Sequence, residues 1–413
     1  MGLPKLLVVY DEGSFPPRSI YTAAKNLGVD LVFIADESAQ PAEVVSVLRL
    51  FGQVVDTQSA PEATWVGALS HLNPAGIVTF AESQLRRTAR VAEALGLPYQ
   101  SPTATAAITE KGAQREAFRA AGLQVPNFRT VRTPEELQAA VVEARTPVLV
   151  KPTLGAGSRN TFPLARPADV HAAATLLATG CEEELIVEEL LEGRPMPAPW
   201  GDYIAMDFIV RAGDPTLLIT SDKFALAPPF RERGAFTPSR LPQAELDEIE
   251  ALCRRAIEAV GFQHGVADLE VKLTPRGPVI IELNGRMGAW VDDIGRGALG
   301  FSAGEVAIEY AIGRSARGHM NRSQTDGVAF QYLAVPPFEA TRIDGAIDPT
   351  RLRRLPGVNL VSLTPSPDGR LDWMIGTGSS VATVGGIARN HDELAMTVRA
   401  VDALIQSHFR SAE

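Results

Sequence analysis

A glycine-bearing turn that follows a lysine is the first place where this sequence can do chemistry. In VKPTLGAGSRNTF, Val150 to Phe162, a strand delivers Lys151 and then enters a loop holding Gly155, Gly157 and Ser158. Glycines let backbone N–H groups approach anionic oxygens closely, and a lysine on the adjoining strand adds a point charge, so the segment suits phosphate. It is not the P-loop pattern, because no lysine in the chain follows a glycine. A plain strand-to-strand turn carries glycines as well.

The second set of chemical residues lies in VADLEVKL (Val266 to Leu273) and PVIIELNGR (Pro278 to Arg286). Period-two reading puts Asp268, Glu270 and Lys272 on one face of the first strand, and Ile280, Glu282 and Asn284 on one face of the second. Cross-strand partners share a face, so the register should set Glu270 opposite Glu282 and Leu269 opposite Leu283. That register predicts a loop with an odd residue count, Thr274 to Pro278. Facing carboxylates repel unless a hard cation lies between them, and Glu270, Glu282 and Asn284 supply the oxygen ligands magnesium prefers. The plain alternative is an amphipathic hairpin with a solvated acidic face. Arg286, just past the acidic strand, offers a planar fork that can clamp an acyl phosphate or a tetrahedral intermediate, or else a salt bridge to the neighbouring acids.

Other residues are weighed the same way. Asp292 and Asp293 can bind a substrate ammonium or form a solvated turn. GRGALG, Gly295 to Gly300, matches the dinucleotide fingerprint, but it follows an acidic loop rather than a strand. Glu82 and Ser83 end the third strand of the first lobe, where open sheets bind ligands, which makes them substrate candidates. His264 is a lone histidine beside a glycine, a structural pattern.

The elements that must position these groups can be traced. Leu6 to Tyr10 and Leu31 to Ala35 read as strands around a helix from Ser19 to Leu27. Gly76 to Phe80 is a further strand, and Glu82 to Leu95 a helix stopped by Gly96. Helices follow at about Thr109 to Ala121 and Pro134 to Ala144, then strands Val148 to Lys151 and Leu185 to Glu189. A charged helix from Gln243 to Val260 precedes the acidic hairpin, and another helix runs from Gly304 to Ile312. From Asp326 the chain is rich in Gly and Pro with short strands, closing on a helix from Asp392 to Phe409.

At 413 residues, several packed units are expected. Hydrophobic residues at 45% and charged residues at 21% make a globular composition, with no apolar run of membrane-spanning length. The first apolar stretch meets acid at once, so it reads as a buried strand and not a secretory signal. Cys181 and Cys253 have no metal-ligand spacing and fit a reducing, cytoplasmic setting. A balance of 39 basic against 49 acidic side chains gives −10, which argues against a nucleic-acid partner and for small molecules.

Lys111 with Arg115, VKPTLGAGSRNTF, VEELLEG (Val187 to Gly193) and IELNGR (Ile281 to Arg286) occur in the order seen in ATP-grasp carboxylate–amine ligases. The chain resembles that family from about Gly96 to Ile312, and SDKFALAPPF (Ser221 to Phe230) is similar to the branch with bacterial L-amino-acid ligases. The resemblance implies a multi-lobed α/β and α+β protein: an ATP-grasp fold with an N-terminal parallel-sheet domain. The lobes would be 1–96, an ATP-grasp region 97–325 with a nucleotide lid about 115–190, and a C-terminal α+β subdomain 326–413. It further implies that Lys111 and Lys151 contact ATP phosphates and that the loop at Gly155, Gly157 and Ser158 closes over them. Glu188 would accept from the adenine amino group, and the Leu191 backbone would meet the ring. Asp202 is the candidate ribose acid, displaced from its usual place by RPMPAPWG. Lys151 and Arg286 would be catalytic, with Mg²⁺ on Glu270, Glu282 and Asn284, where Mn²⁺ also fits. The chain departs from the family at Asp268, where a histidine is common, and at MGAW after Arg286.

Arg286 followed four positions later by Trp290 is similar to dipeptide-forming amino-acid ligases, although Trp290 equally suits a core. The implied activity is an ATP-dependent ligase that joins a carboxylate, such as an amino acid, to an amine through an acyl phosphate, releasing ADP and phosphate. A carboxylase or phosphotransferase on the same scaffold, and a non-catalytic nucleotide-binding regulator, are the alternatives. A homodimer is admitted by this reading.

Overall fold

The computed structural model describes residues 2–144, 146–315, 326–364 and 368–411. The first lobe is a parallel sheet of β1 (Lys5–Val9), β2 (Asp30–Ala35), β3 (Gln53–Asp56) and β4 (Gly76–Val78) in the order β3-β2-β1-β4. The helix Pro17–Leu27 makes the crossover between β1 and β2; proline begins it and Gly28, at φ 65°, ends it in the left-handed region. Sequence reading misses β3, a four-residue strand without a fully buried side chain. The strand ahead of Glu82 is therefore the fourth in the chain and not the third.

One face of this sheet packs a core of the lobe's own, with Leu7, Val9, Val32 and Ile34 against Trp65, Leu69, Val91 and Ala92, and the other face joins the central region. Leu6, Val8, Phe33 and Phe80 share one apolar cluster with Ile209, Val266, Met287 and Ile308 of the central region. Each such buried side chain contributes about 1.5–3 kcal/mol over leaving it exposed, so the contact is firm. A Cβ at Gly76 would strike the carbonyl of Ala311, which shows how closely β4 lies on the helix Ala303–Ala311.

A second sheet, antiparallel, has β5 (Phe128–Val131), β6 (Val148–Pro152), β7 (Phe162–Pro163) and β8 (Leu185–Glu189) in the order β5-β8-β6-β7. The helices Pro134–Glu143 and Pro167–Ala178 close it over Val131, Leu137, Val150, Leu177 and Val187. This is the lid.

The third sheet holds eight strands, all antiparallel neighbours: β9 (Trp200–Arg211), β10 (Asp214–Phe224), β11 (Gly234–Thr237), β12 (His264–Thr274), β13 (Gly277–Asn284), β14 (Val328–Ala334), β16 (Val358–Leu363) and β17 (Ala382–Ala388). Their order is β13-β12-β9-β10-β11-β14-β17-β16, with a separate small pair of β15 (Ala340–Ile343) and β18 (Phe409–Ser411). Strands after Val328 thus extend the sheet that carries the acidic hairpin. The expected boundary at 325–326 falls beside residues 316–325, which lie outside the described residues.

The hairpin register is as expected, with Glu270 opposite Glu282 and Leu269 opposite Leu283. The loop is not. A bulge after Glu270 pairs Val271 with Ile280, so Ile281 is the extra residue and Thr274 pairs with Gly277 across the two-residue turn Pro275 and Arg276. Residues 291–299 form a helix, Val291–Leu299, where an acidic loop was expected. Asp292 is buried there, accepting from Ser302 Oγ at 2.5 Å and Gly304 N at 3.0 Å, so it is neither a solvated turn nor free for a ligand. Among the described residues, no helix is long and apolar enough to cross a membrane.

Candidate functional site

The lid faces the β12–β13 end of the central sheet across a cleft enclosing about 1010 Å³. Lys111, Lys151, Gly155, Gly157, Ser158, Glu188, Leu191, Glu270 and Glu282 all line it. Strand periodicity explains Lys151 and Glu188: they lie on neighbouring lid strands, where β6 pairs with β8, and both are buried. Lys151 Nζ lies 2.6 Å from Glu188 Oε2, and Arg115 Nε, from the helix Lys111–Ala120, donates to Glu188 Oε1 at 2.7 Å. Burial opposes the charge on Glu188, but Arg115 and Lys151 outweigh it and hold its pKa down at about 2. Burial pulls the Lys151 ammonium below its usual range, with Glu188 acting against it.

Lys111, first residue of its helix, donates Nζ to the Gly155 carbonyl at 2.7 Å and reaches 3.6 Å from Glu282 Oε2. The two facing acids are thereby placed in different fields. For Glu282, burial is outweighed by Lys111, Lys151 and Arg286, and its pKa falls. For Glu270, burial and then Glu232 push the pKa well up, against Lys223, whose Nζ lies 3.8 Å from Glu270 Oε1. Asn284 Nδ2 stands 3.5 Å from Glu282 Oε1 and 3.4 Å from Asp268 Oδ2. Among the described residues no three His, Cys, Asp or Glu side chains form a ready metal cage. Two facing carboxylates and an amide remain, a hard oxygen set that suits Mg²⁺ sharing its coordination with phosphate and water.

A second cavity of about 1110 Å³ is lined by Glu82, Ser83 and Arg286 together with Glu12 and Arg86. Leu154, Gly155, Ala156 and Gly157 line both cavities, so the glycine-rich loop is the partition between them. Arg286 NH1 donates to Asp268 Oδ2 at 2.7 Å, and its Nε lies 3.5 Å from Glu82 Oε2. Burial raises Glu82 to about 7, with Arg286 and Lys111 opposing it. The Ser83 hydroxyl donates to Asp11 Oδ2 at 2.7 Å.

Asp202 and Trp290 line neither cavity. Asp202 Oδ2 is 2.8 Å from Lys272 Nζ, and Lys272 does line the first. Trp290 takes φ 67° at the start of the helix Val291–Leu299 and packs against Ala227, Leu333 and Val335, with Lys223 Nζ 5.7 Å from its ring centroid.

Sequence reasoning passes over several groups here. Lys223 is buried between Glu232 at 3.2 Å and Glu270 at 3.8 Å, a charge that the segment SDKFALAPPF does not mark out. Asp207 lies opposite Asp268 on the adjacent strand and accepts from Gly288 N at 2.7 Å, which ties the turn after Arg286 to the sheet. Its other oxygen has no hydrogen-bond partner among the described residues. The signal available was an acid inside the otherwise apolar run IAMDFIV.

A family profile described as the ATP-grasp domain matches residues 144–293, and one described as the ATP-grasp N-terminal domain matches residues 21–99. An uncharacterized protein, y4rH, of Sinorhizobium fredii is 28% identical over 377 residues, covering 88% of this chain and 74% of that protein. The alanine–anticapsin ligase of Bacillus subtilis is 27% identical over 235 residues, covering 52% of this chain and 48% of that protein, so the match spans about half its length. The L-amino acid ligase structure from Bacillus licheniformis superposes with a TM-score of 0.78 at 19% identity, covering 100% of both chains, and shows the shared fold.

Proposed function

From the premise that this chain belongs to the ATP-grasp family, we propose that it is an ATP-dependent carboxylate–amine ligase with small-molecule substrates, amino acids among them. The observation that carries the reading is the partition: one loop separates a cleft with two lysines and facing acids from a cavity with Arg286. ATP in the first and a carboxylate in the second would meet across Gly155 and Gly157.

In this reading Lys111 and Lys151 hold the phosphates, and Ser158 and the glycines supply close N–H donors. Glu188 fixes Lys151 and keeps lone pairs for the adenine amino group, the Leu191 backbone meets the ring, and Asp202 reaches the ribose region through its partner Lys272. Glu270, Glu282 and Asn284 would hold Mg²⁺, or Mn²⁺ in its place. The metal, when bound, neutralises phosphate charge. The substrate carboxylate oxygen attacks the γ-phosphorus and ADP leaves. The amine nitrogen then attacks the acyl carbon, the C–O bond to phosphate breaks, and the nitrogen gives up a proton. Arg286, held by Asp268, faces the oxygens that gain charge in both steps. Glu82 and Ser83 line the carboxylate's cavity, and Trp290 shapes it from behind the turn. The lobes 1–96, 97–325 and 326–413 are the units of this machine, in a cytoplasmic setting.

The test is phosphate release from ATP and Mg²⁺ with paired amino acids, with products read by mass spectrometry. Amine-dependent release with an amide product is expected. Release that depends on bicarbonate instead would point to the carboxylase alternative, and no turnover with any pair would overturn the reading.

A further inference from the structure

The glycine-rich loop is gripped from a distant part of the chain. Residues Trp373–Ser379, a 3₁₀ segment broken at Gly376, lead into β17 of the central sheet. Thr377 N donates to Gly157 O at 2.8 Å, and Asn160 N donates to Met374 O at 2.9 Å, so backbone bonds run in both directions. The Trp373 ring meets Phe162 edge-on at 5.7 Å and Phe338 at 5.0 Å, and Trp373 and Met374 both pack on the lid's apolar cluster.

The contact depends on one missing side chain. Gly376 has φ 68° and ψ −133°, where an L side chain is disfavoured, and a Cβ there would overlap the Gly157 carbonyl and lie 2.7 Å from Arg159 N. These neighbours are backbone, so no side-chain rotation relieves the clash. The far end of the segment is held as firmly. Ser379 Oγ donates to Gly376 O at 2.7 Å, and the buried Arg231 reaches Ser379 Oγ at 3.2 Å while bonding the carbonyls of Pro228 and Pro336. Arg231 stands between Phe230 and Glu232, which line the cleft.

We propose that the segment Trp373–Ser379 is a positioning element for the glycine-rich loop, with Gly376 the residue that admits the loop and thereby sets nucleotide affinity. The nucleotide half of this rests on the ligase reading; the loop half does not. A loop carried on a short antiparallel lid would otherwise move with the lid alone. Here its height over the cleft is referred to the central sheet, which also carries Glu270 and Glu282. The segment touches neither acid, so it acts through the loop.

The test compares Gly376→Ala with Gly378→Ala, whose added Cβ meets nothing within 4 Å and whose backbone is not left-handed. Loop position is read without nucleotide, as the rate of tryptic cleavage after Arg159 in the full chain. Affinity is read as the Kd for ADP with Mg²⁺ and as KM for ATP. Gly376→Ala should raise the cleavage rate, Kd and KM by about tenfold each, with kcat at saturating ATP changed by less than about threefold. Gly378→Ala should change none of them. If Gly376→Ala does not fold, Trp373→Ala, which keeps the backbone bonds and removes the lid contact, should raise the cleavage rate and Kd in the same direction. A folded Gly376→Ala or Trp373→Ala with unchanged cleavage and Kd overturns the proposal, as does an equal effect from Gly378→Ala. A parent protein that binds no ADP overturns the ligase reading, while the cleavage comparison still decides the loop's attachment.

Discussion

Lys151 and Glu188 form an ion pair of 2.6 Å with both side chains more than nine-tenths buried, and Arg115 occupies the other oxygen of the same carboxylate. One acid thus pairs with two buried cations. Glu188→Gln leaves both without their counter-charge and is expected to lower stability by about 3 kcal/mol in urea unfolding. A variant as stable as its parent would show that the triad is not held together in solution.

The facing acids give a parallel expectation for stability. Glu282→Gln removes the negative charge that Lys111, Lys151 and Arg286 hold ionised against burial, so stability should fall by about 1–3 kcal/mol. ADP formation should fall by more than about 100-fold if Mg²⁺ is held there. Undiminished turnover would remove Glu282 from the metal set.

Glu82 carries a pH signature. Its carboxyl is raised to about 7 in the fold, chiefly by burial, so between the unfolded value near 4.5 and about 7 the folded state binds the extra proton. Its contribution is therefore fully present below the unfolded pKa and is lost as pH rises through the folded one, on the order of 3 kcal/mol. Glu82→Gln should be more stable than the parent at pH 8 and show a flatter pH slope from 4.5 to 7. Parallel urea-midpoint curves for the two proteins would contradict this assignment.

Trp290 combines a packed ring with a left-handed backbone, φ 67°. Trp290→Ala loses the ring and keeps the unfavourable φ; Trp290→Gly loses the ring and relieves it. Both should be destabilised, with the glycine variant the more stable of the two by about 1 kcal/mol. If alanine is the better replacement, the turn does not adopt this conformation in solution. Both variants should also accept a wider set of carboxylate substrates, which a paired amino-acid screen reads directly.

The acidic register was legible because polarity alternates along both hairpin strands, and alternation fixes which face each residue shares. The bulge at Ile281 was not, because an extra apolar residue in PVIIE does not disturb the hydrophobic pattern. β9 escaped notice for a related reason: it is buried on both faces, so WGDYIAMDFIVR shows no period. Its turn does carry a sequence mark, Gly213 followed by Asp214, and Ala212 and Gly213 both take positive φ between the strands. Local motifs picked out residues that the structure gathers in the first cleft because each lies on one short element. The salt bridge from Arg286 to a neighbouring acid was one of its two expected roles, and Asp268 makes it; the approach of Glu82 and Asp207 was illegible, because they come together with it only when segments far apart in sequence pack.

The loop residues Leu154 to Gly157 border both cavities. For anyone wishing to alter what this protein accepts, that shared wall is a poor place to start. A change there reshapes two compartments at once, so gains for one occupant come tied to losses for the other. Glu12, Ser83 and Arg86 border the second cavity without bordering the first, and under the proposed function a library confined to them would redraw the substrate repertoire while leaving the nucleotide cleft untouched.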